Sequence, residues 1–534
     1  MNCMCVAEQS HQDGYVGGEV LKVMMDDDRG PASPVAMRAA TARITLTTKW
    51  DRGNLSRTKI LSEMVQQTGI ELCLRPLDGV NMDSELSPPQ LVATTGGTYS
   101  CSVEESRRRE LEAREGSHAA PSSITAQDSY ESNYFKSIQW SPDGTSLIAA
   151  SADNKLRFYV APPDLLSPSS SPHILTPYTT YAAPEPTYTQ SFYPHFDLQN
   201  SSTTLLLSSP RDHPIQLINI LSPTPSPVST YSLVCPTTES YLTPSSLLWH
   251  PTGHEFYAGT DCLITIFDVS RSGEGPTTRL PTIPSKRHKM KGGGVGMRGI
   301  VSCLSLQPDA PDSPVGNGML AAGTWTRWVS LYDAEGLGGT VANWSIASAA
   351  DDESQIGGTG VSQVLWSACG RYLFVVERKS RGVLVYDVRV TGRLVGWLEG
   401  REAETNQRMS VDTASIGGKS EVWAGGTDGR VRVWRDVGST EGGAKPDMDW
   451  LAHEEGTTVG GVALHSCGSV VATASGMRRE NTTVPDLESD SESESEDDSS
   501  EDSDDDTETT TTLSVSPSHD DLPEDNTIKL WSIL

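Results

Sequence analysis

EVWAGGTDGRVRVWRD, residues 421–436, reads as a strand ending at Ala424, a tight turn over 425–429 and a second strand over 430–434. Such a pair cannot bury both of its faces alone, so it predicts neighbours of the same kind along the chain. They are present. Asp428 precedes Trp434 by six residues, and the same offset recurs at Asp153/Tyr159, Asp212/Ile218, Asp261/Phe267 and Asp525/Trp531. Two weaker copies, ending at Tyr332 and Tyr386, keep the strand and lose the Asp, which brings the units to seven. An Asp at this place suits a turn between antiparallel strands, where its carboxylate accepts bonds from nearby N–H groups. The five Asp are therefore structural rather than catalytic.

Ahead of these strands runs a second signature, an apolar run, a polar turn and another apolar run. It appears as FKSIQWSPDGTSLIAAS at 135–151, SSLLWHPTGHEFYAGT at 245–260, VSQVLWSACGRYLFVVE at 361–377 and VGGVALHSCGSVVATASG at 459–476. Short strands with Ser-Pro-Asp-Gly or His-Pro-Thr-Gly turns resemble the blades of WD40 repeats. The expectation is an all-β chain, a seven-bladed WD40 β-propeller over residues 126–534.

Residues 1–125 lack sustained periodicity and mix charge clusters with short apolar pieces, so they are expected to be mostly disordered. A short helix over 103–114 and an outer strand just before residue 134, closing the ring against the last blade, are the exceptions expected. The Pro-, Ser- and Thr-rich stretch over 162–190 reads as an extended surface loop. From Trp434 to Trp531 the spacing is about twice that of the preceding unit, and removing residues 477–524 restores it. That stretch is therefore an acidic disordered insertion inside the last blade. Residues 486–525 hold 18 of the 70 acids and no Lys or Arg; the other 52 acids against 41 bases leave the remainder at −11, only mildly acidic. The serines interleaved in the acidic run suit an acid-directed kinase, the alternative being a solvating spacer.

The opening MNCMCVAEQSHQDG lacks the basic-then-apolar pattern of an export signal, and no apolar run is long enough to span a bilayer. A soluble intracellular protein, with no membrane association, is expected. Nine scattered Cys form no CxxC pair, which favours reduced thiols over a disulfide framework or a metal site. GVGMRG at 294–299 matches a dinucleotide fingerprint but is preceded by a basic loop and followed by a strand, the wrong context. GGKS at 417–420 lacks the first Gly of a phosphate-cradling loop. No catalytic residue, cofactor or metal is predicted, and an enzyme is not expected.

Two stretches carry binding chemistry. Lys286, Arg287, Lys289, Lys291 and Arg298 lie on a Gly-rich linker between blades three and four, where flexible cations can follow a phosphate backbone or simply remain solvated. Arg401, Asn406, Gln407 and Arg408, in REAETNQRMSVD entering blade six, can contact an RNA edge or cap strand ends. In their order along 135–534, these segments together with SPDGTSLIAASADNKLRFYVAPPDL, SSPRDHPIQLIN and GVALHSCGSVVATASG resemble the telomerase Cajal body protein family.

That resemblance implies a non-enzymatic RNA-binding scaffold, nuclear (Cajal body or nucleoplasm), with a cytoplasmic pool as the alternative. Its RNA would be small nuclear or small Cajal body RNA of the H/ACA type, extending to telomerase RNA. Its protein partners would be dyskerin-type H/ACA ribonucleoprotein components and, by fungal analogy, spliceosomal particles. The alternative is a protein-only adaptor in a nuclear complex, its acidic loop holding basic partners such as histones or ribosomal proteins. Fold alone does not choose between them.

Overall fold

The computed structural model describes residues 88–99, 132–222, 224–284, 297–309, 318–334, 338–439, 441–478 and 525–533. These form seven sheets of four or five strands, antiparallel except that each five-stranded sheet ends in a strand paired parallel, His173–Ile174 in one and Gly442–Ala444 in the other. Blade one spans 135–182, two 187–231, three 246–281, four 301–345, five 361–399, six 411–451 and seven 459–532. The first strands of neighbouring blades touch one another and form the inner ring, so the seven-bladed propeller expected from the repeats is the fold. The seven Asp-spaced or degenerate repeat strands become the third strands Lys155–Val160, Ile215–Asn219, Leu263–Asp268, Trp328–Asp333, Gly382–Asp387, Arg430–Trp434 and Ile528–Ser532.

Alternation within each strand sends apolar side chains to both faces, since every blade is sandwiched between two others. The core is accordingly divided among the seven blade-to-blade contacts. Phe374, Val376 and Val383 of blade five, for example, pack with Val422 and Trp434 of blade six, all essentially inaccessible to water. Each such fully buried side chain stabilises the fold by about 1.5–3 kcal/mol. The tryptophans that end the first strands lock neighbours together: Trp140 Nε1 donates to the Ala463 carbonyl at 3.1 Å, Trp249 to Ser191 at 3.2 Å and Trp366 to Ser305 at 3.1 Å. Those are the Trp of the WSPDG, WHPTG and WSACG turns.

The ring is closed by Gln90–Thr94, which pairs antiparallel with Ile528–Ser532 as the fourth strand of blade seven. This corrects the expectation of an outer strand just before residue 134. QLVAT is short and unflanked by a turn signature; what recruits it is the open edge of the last blade, where Ala93 becomes fully buried. The Pro-rich stretch is also more ordered than a loop. It contains Thr179–Ala182, the fourth strand of blade one, and Thr187–Phe192, the first of blade two. The β-branched and aromatic residues TTYA and TYTQSF outweigh the surrounding Pro and Ser.

The insertion sits as expected within blade seven, because Val470–Ser475 pairs directly with Ile528–Ser532. The helix expected over 103–114, the remainder of 1–125 and most of 477–524 lie outside the described residues. Among the described residues no helix is long and apolar enough to cross a membrane.

Candidate nucleic-acid interface

One face of the ring carries the turns between second and third strands together with the connectors from blade to blade. Blade seven shows how the two are tied. Trp531 Nε1 donates to Thr473 Oγ1 at 3.0 Å, Thr473 Oγ1 lies 2.8 Å from His453 Nε2, and His453 Nδ1 lies 3.2 Å from Asp525 Oδ2. Third strand, second strand, connector and turn are thereby joined in one chain. Burial holds the His453 pKa down despite Asp525, favouring a neutral imidazole that donates from Nδ1 and accepts at Nε2. Burial also works to raise the Asp525 carboxyl, but His453, Thr527 and the Glu454 N–H outweigh it and leave its pKa well below the usual range.

The other repeat Asp divide into two groups. Asp153 is buried, accepts from Ser151 and pairs with Lys155 and Arg157; burial is outweighed by these partners and its pKa falls to about 2. Asp428 accepts from the Arg430 N–H at 3.3 Å and pairs with Arg432 at 2.6 Å. Asp212 and Asp261 are exposed instead. The Asp212 N–H donates to Thr243 Oγ1 at 2.9 Å, and Asp261 forms a backbone bridge with Ile300.

The connector over 400–410 crosses the same face at the mouth of the central channel. Arg401 is 1% exposed, with Nε 3.5 Å from the Gly425 carbonyl and Nη2 3.5 Å from the Met409 carbonyl. Its Nη1 has no hydrogen-bond partner, and burial lowers its pKa to about 10. Gln407 is also buried. Its Nε2 donates to the Gly476 carbonyl at 2.9 Å and its Oε1 accepts from the Arg478 N–H at 3.1 Å, fixing the point where the acid-rich insertion leaves blade seven.

Arg408 reaches the carbonyls of Ser245, Ser302 and Ser362 at 3.5, 3.3 and 3.4 Å, thus spanning the inner strands of blades three, four and five. It remains exposed toward the channel while its guanidinium is hemmed in by protein; desolvation lowers its pKa, with Arg378 adding to the effect and Cys303 opposing it. Asn406 is exposed. The structure therefore brings Arg401, Gln407 and Arg408 together, but as donors to backbone carbonyls, and leaves Asn406 facing solvent.

Of the basic linker, Lys286, Arg287, Lys289 and Lys291 lie outside the described residues. Arg298 is exposed, and its carbonyl accepts from Thr326 Oγ1 in the turn of blade four. Arg298 is thus anchored on the connector face.

Sequence reasoning missed two further cations. Arg378 and Lys379 occupy the turn of blade five, and Arg378 Cζ lies 4.3 Å from the ring centre of Trp325, which is 44% exposed. The signal was available: the turn reads ERKSRG, with Ser380 at the Asp position and two cations immediately before it. Arg378, Lys379, Arg401 and Arg408 have no carboxylate partner among the described residues, whereas Arg157, Arg327, Arg371, Arg389 and Arg432 all do.

The family profile for the WD domain, G-beta repeat, matches residues 125–159. The chain is 30% identical over 307 residues to guanine nucleotide-binding protein negative regulator 1 of Schizosaccharomyces pombe, covering 57% of this chain and 71% of that protein. The chain belongs to that WD40-repeat family. It is likewise related to telomerase Cajal body protein 1: 28% identical over 434 residues to the Rattus norvegicus protein, covering 74% of each chain, and 27% over 355 residues to the Homo sapiens protein. The human alignment covers 65% of this chain and 57% of the human one, so the chain spans little more than half the human protein's length.

Proposed function

We propose that this protein is a non-enzymatic scaffold that binds a structured small nuclear RNA on its connector face and presents it to a ribonucleoprotein assembly in the nucleus. The observation that carries the reading is the gathering of Arg378, Lys379, Arg401 and Arg408 on one face without carboxylate partners among the described residues. In a protein of net charge −29, uncompensated cations concentrated in one place constitute a site for phosphate rather than a general basic surface. Similarity to telomerase Cajal body protein 1 along three quarters of the chain supports the same reading. Small Cajal body RNA of the H/ACA type, with dyskerin-type partners, is the ligand class that follows from it.

Roles divide by exposure. Gln407 shapes the face, Arg401 lies beneath it as a buried cation, Arg408 closes the channel mouth, and Arg378, Lys379, Asn406, Arg298 and the linker cations Lys286, Arg287, Lys289 and Lys291 meet the RNA. The experiment is crosslinking of the tagged protein in nuclear extract, stringent salt washing and sequencing of the recovered RNA. Enrichment of small nuclear or H/ACA-type RNA, lost on charge reversal of residues 286–291, supports the scaffold. Background RNA alone from folded protein refutes it.

The name of the fission yeast relative favours a second reading, since it assigns that protein an action on a guanine nucleotide-binding protein. On that reading this chain is a protein-only adaptor whose acid-rich insertion holds basic partners. Deleting 479–524 then abolishes basic-protein capture, whereas under the RNA reading it leaves RNA binding intact.

A further inference from the structure

Between blade five and the connector over 400–410 is a small cleft, lined by Ser362, Glu377, Arg378, Lys379, Arg401 and Gln407 among others. Its enclosed part has room for about one water-sized group. Glu377, the acid on its wall, is already committed: it accepts from Arg327 Nε at 2.7 Å and from the Gly358 N–H at 3.1 Å. The remaining charges are all positive. Arg401, almost wholly buried, contributes an Nη1 that has no partner. A buried guanidinium without a counter-ion is costly, and the cost is relieved by an anion that supplies the missing acceptor.

The dimensions and surroundings of the cleft narrow the choice of anion. One water-sized space accepts a single anionic oxygen, with the rest of its group remaining at the mouth beside Arg378 and Lys379. Beside that mouth stands Trp325, nearly half exposed and already carrying the Arg378 guanidinium over its ring. Cations next to an accessible indole form the pairing that holds single-stranded nucleic acid, phosphate on the cations and base on the ring. An acidic peptide has use for the cations but none for the indole.

We propose that this cleft receives a non-bridging oxygen of one phosphodiester of single-stranded RNA, with the adjoining base stacked on Trp325. The inference rests on the RNA-scaffold reading and adds to it a defined subsite. Arg401 provides the floor, Arg378 and Lys379 the rim, and Trp325 the platform. No bond is made or broken.

The test uses the full chain and a fluorescein-labelled oligouridine of about 12 nucleotides, titrated across a series of salt concentrations. Lys379 has φ of 55°, a conformation Asn adopts readily, so Lys379→Asn removes charge without strain. Combined with Arg378→Gln, it is expected to weaken binding roughly tenfold and to reduce the slope of log K against log salt by about 0.7–1.4, one or two ionic contacts to a single strand. Trp325→Ala is expected to weaken binding by roughly 5- to 150-fold and leave the slope unchanged, the mark of lost stacking. Lys379→Asn alone guards against a folding defect from losing the Arg378–Trp325 contact. If the wild type binds this RNA and the variants keep both affinity and slope, the subsite is overturned while the scaffold reading stands. If neither oligouridine nor RNA recovered by crosslinking binds the wild type, the scaffold reading falls and takes the subsite with it. Pyrophosphate that raises the melting temperature of the wild type but not of the charge variant, with RNA affinity unaffected in that variant, assigns the cleft to a free polyphosphate and overturns the RNA assignment. A phosphopeptide that binds in place of RNA overturns it as well.

Discussion

Replacing Thr473 by Val changes the shape of blade seven very little and removes the hydroxyl on which its polar chain depends. Thr473 is fully buried. Its oxygen accepts from Trp531 Nε1 at 3.0 Å, and its proton is the one available to His453 Nε2 at 2.8 Å. Valine leaves an indole N–H and an imidazole nitrogen with no partner in a dry site. Each orphaned polar group costs about 1–3 kcal/mol, so Thr473→Val is expected to destabilise the propeller by about 2–6 kcal/mol. Thr473→Ser keeps the hydroxyl and loses one methyl, a cost of about 1 kcal/mol. Urea denaturation followed by tryptophan fluorescence compares the two, and hydrogen exchange over Ile528–Ser532 localises the loss. A Val variant within about 0.5 kcal/mol of the Ser variant refutes the claim that this chain of bonds holds the last blade.

Asp412 accepts the Leu464 N–H at 2.7 Å, and burial raises its pKa to about 6 against a smaller opposing effect of its backbone bonds. A carboxyl raised in the folded state contributes stability below its unfolded pKa and loses it as pH rises through the folded one. Asp412→Asn is therefore expected to gain on the wild type between pH 4 and pH 7 by at most about 3 kcal/mol, read from melting curves across that window; parallel curves refute it. Arg401→Met exchanges an unpaired buried charge and two 3.5 Å contacts for an apolar chain of similar reach. It is expected to leave stability unchanged or raise it by about 1–2 kcal/mol while abolishing capture of the RNA phosphate by the cleft. A strongly destabilised variant would show that Arg401 serves the fold instead.

The blade count was legible because each unit repeats a local code. A turn six residues ahead of a bulky strand residue is written in contiguous sequence, so all seven third strands fall where the repeat places them. Gln90–Thr94 was not legible, since nothing within QLVAT specifies a partner at Ile528–Ser532. Thr179–Ala182 and Thr187–Phe192 were obscured by the Pro and Ser around them. The site was half legible. Sequence identified Arg401, Gln407 and Arg408 as donors but not their acceptors, because the carbonyls of Ser245, Ser302 and Ser362 converge only once three blades are assembled. Arg378 and Lys379 were overlooked because their turn, with Ser380 at the Asp position, was read as a degenerate copy, when the two cations just ahead of that position were themselves the information.

Closure by Gln90–Thr94 also sets a schedule for biosynthesis. Thr95 Oγ1 accepts the Ile528 N–H at 3.0 Å across 433 residues of chain. At translation rates of about 5–20 residues per second, the first partner waits about 20–90 s on the ribosome for the second. Throughout that interval blade one exists without the Ala463 carbonyl that Trp140 requires, and the growing arc ends in an unpaired strand edge open to other nascent chains. A protein built this way depends on being shielded until its last blade emerges, and its yield in a cell is governed by that wait as much as by the stability of the finished ring.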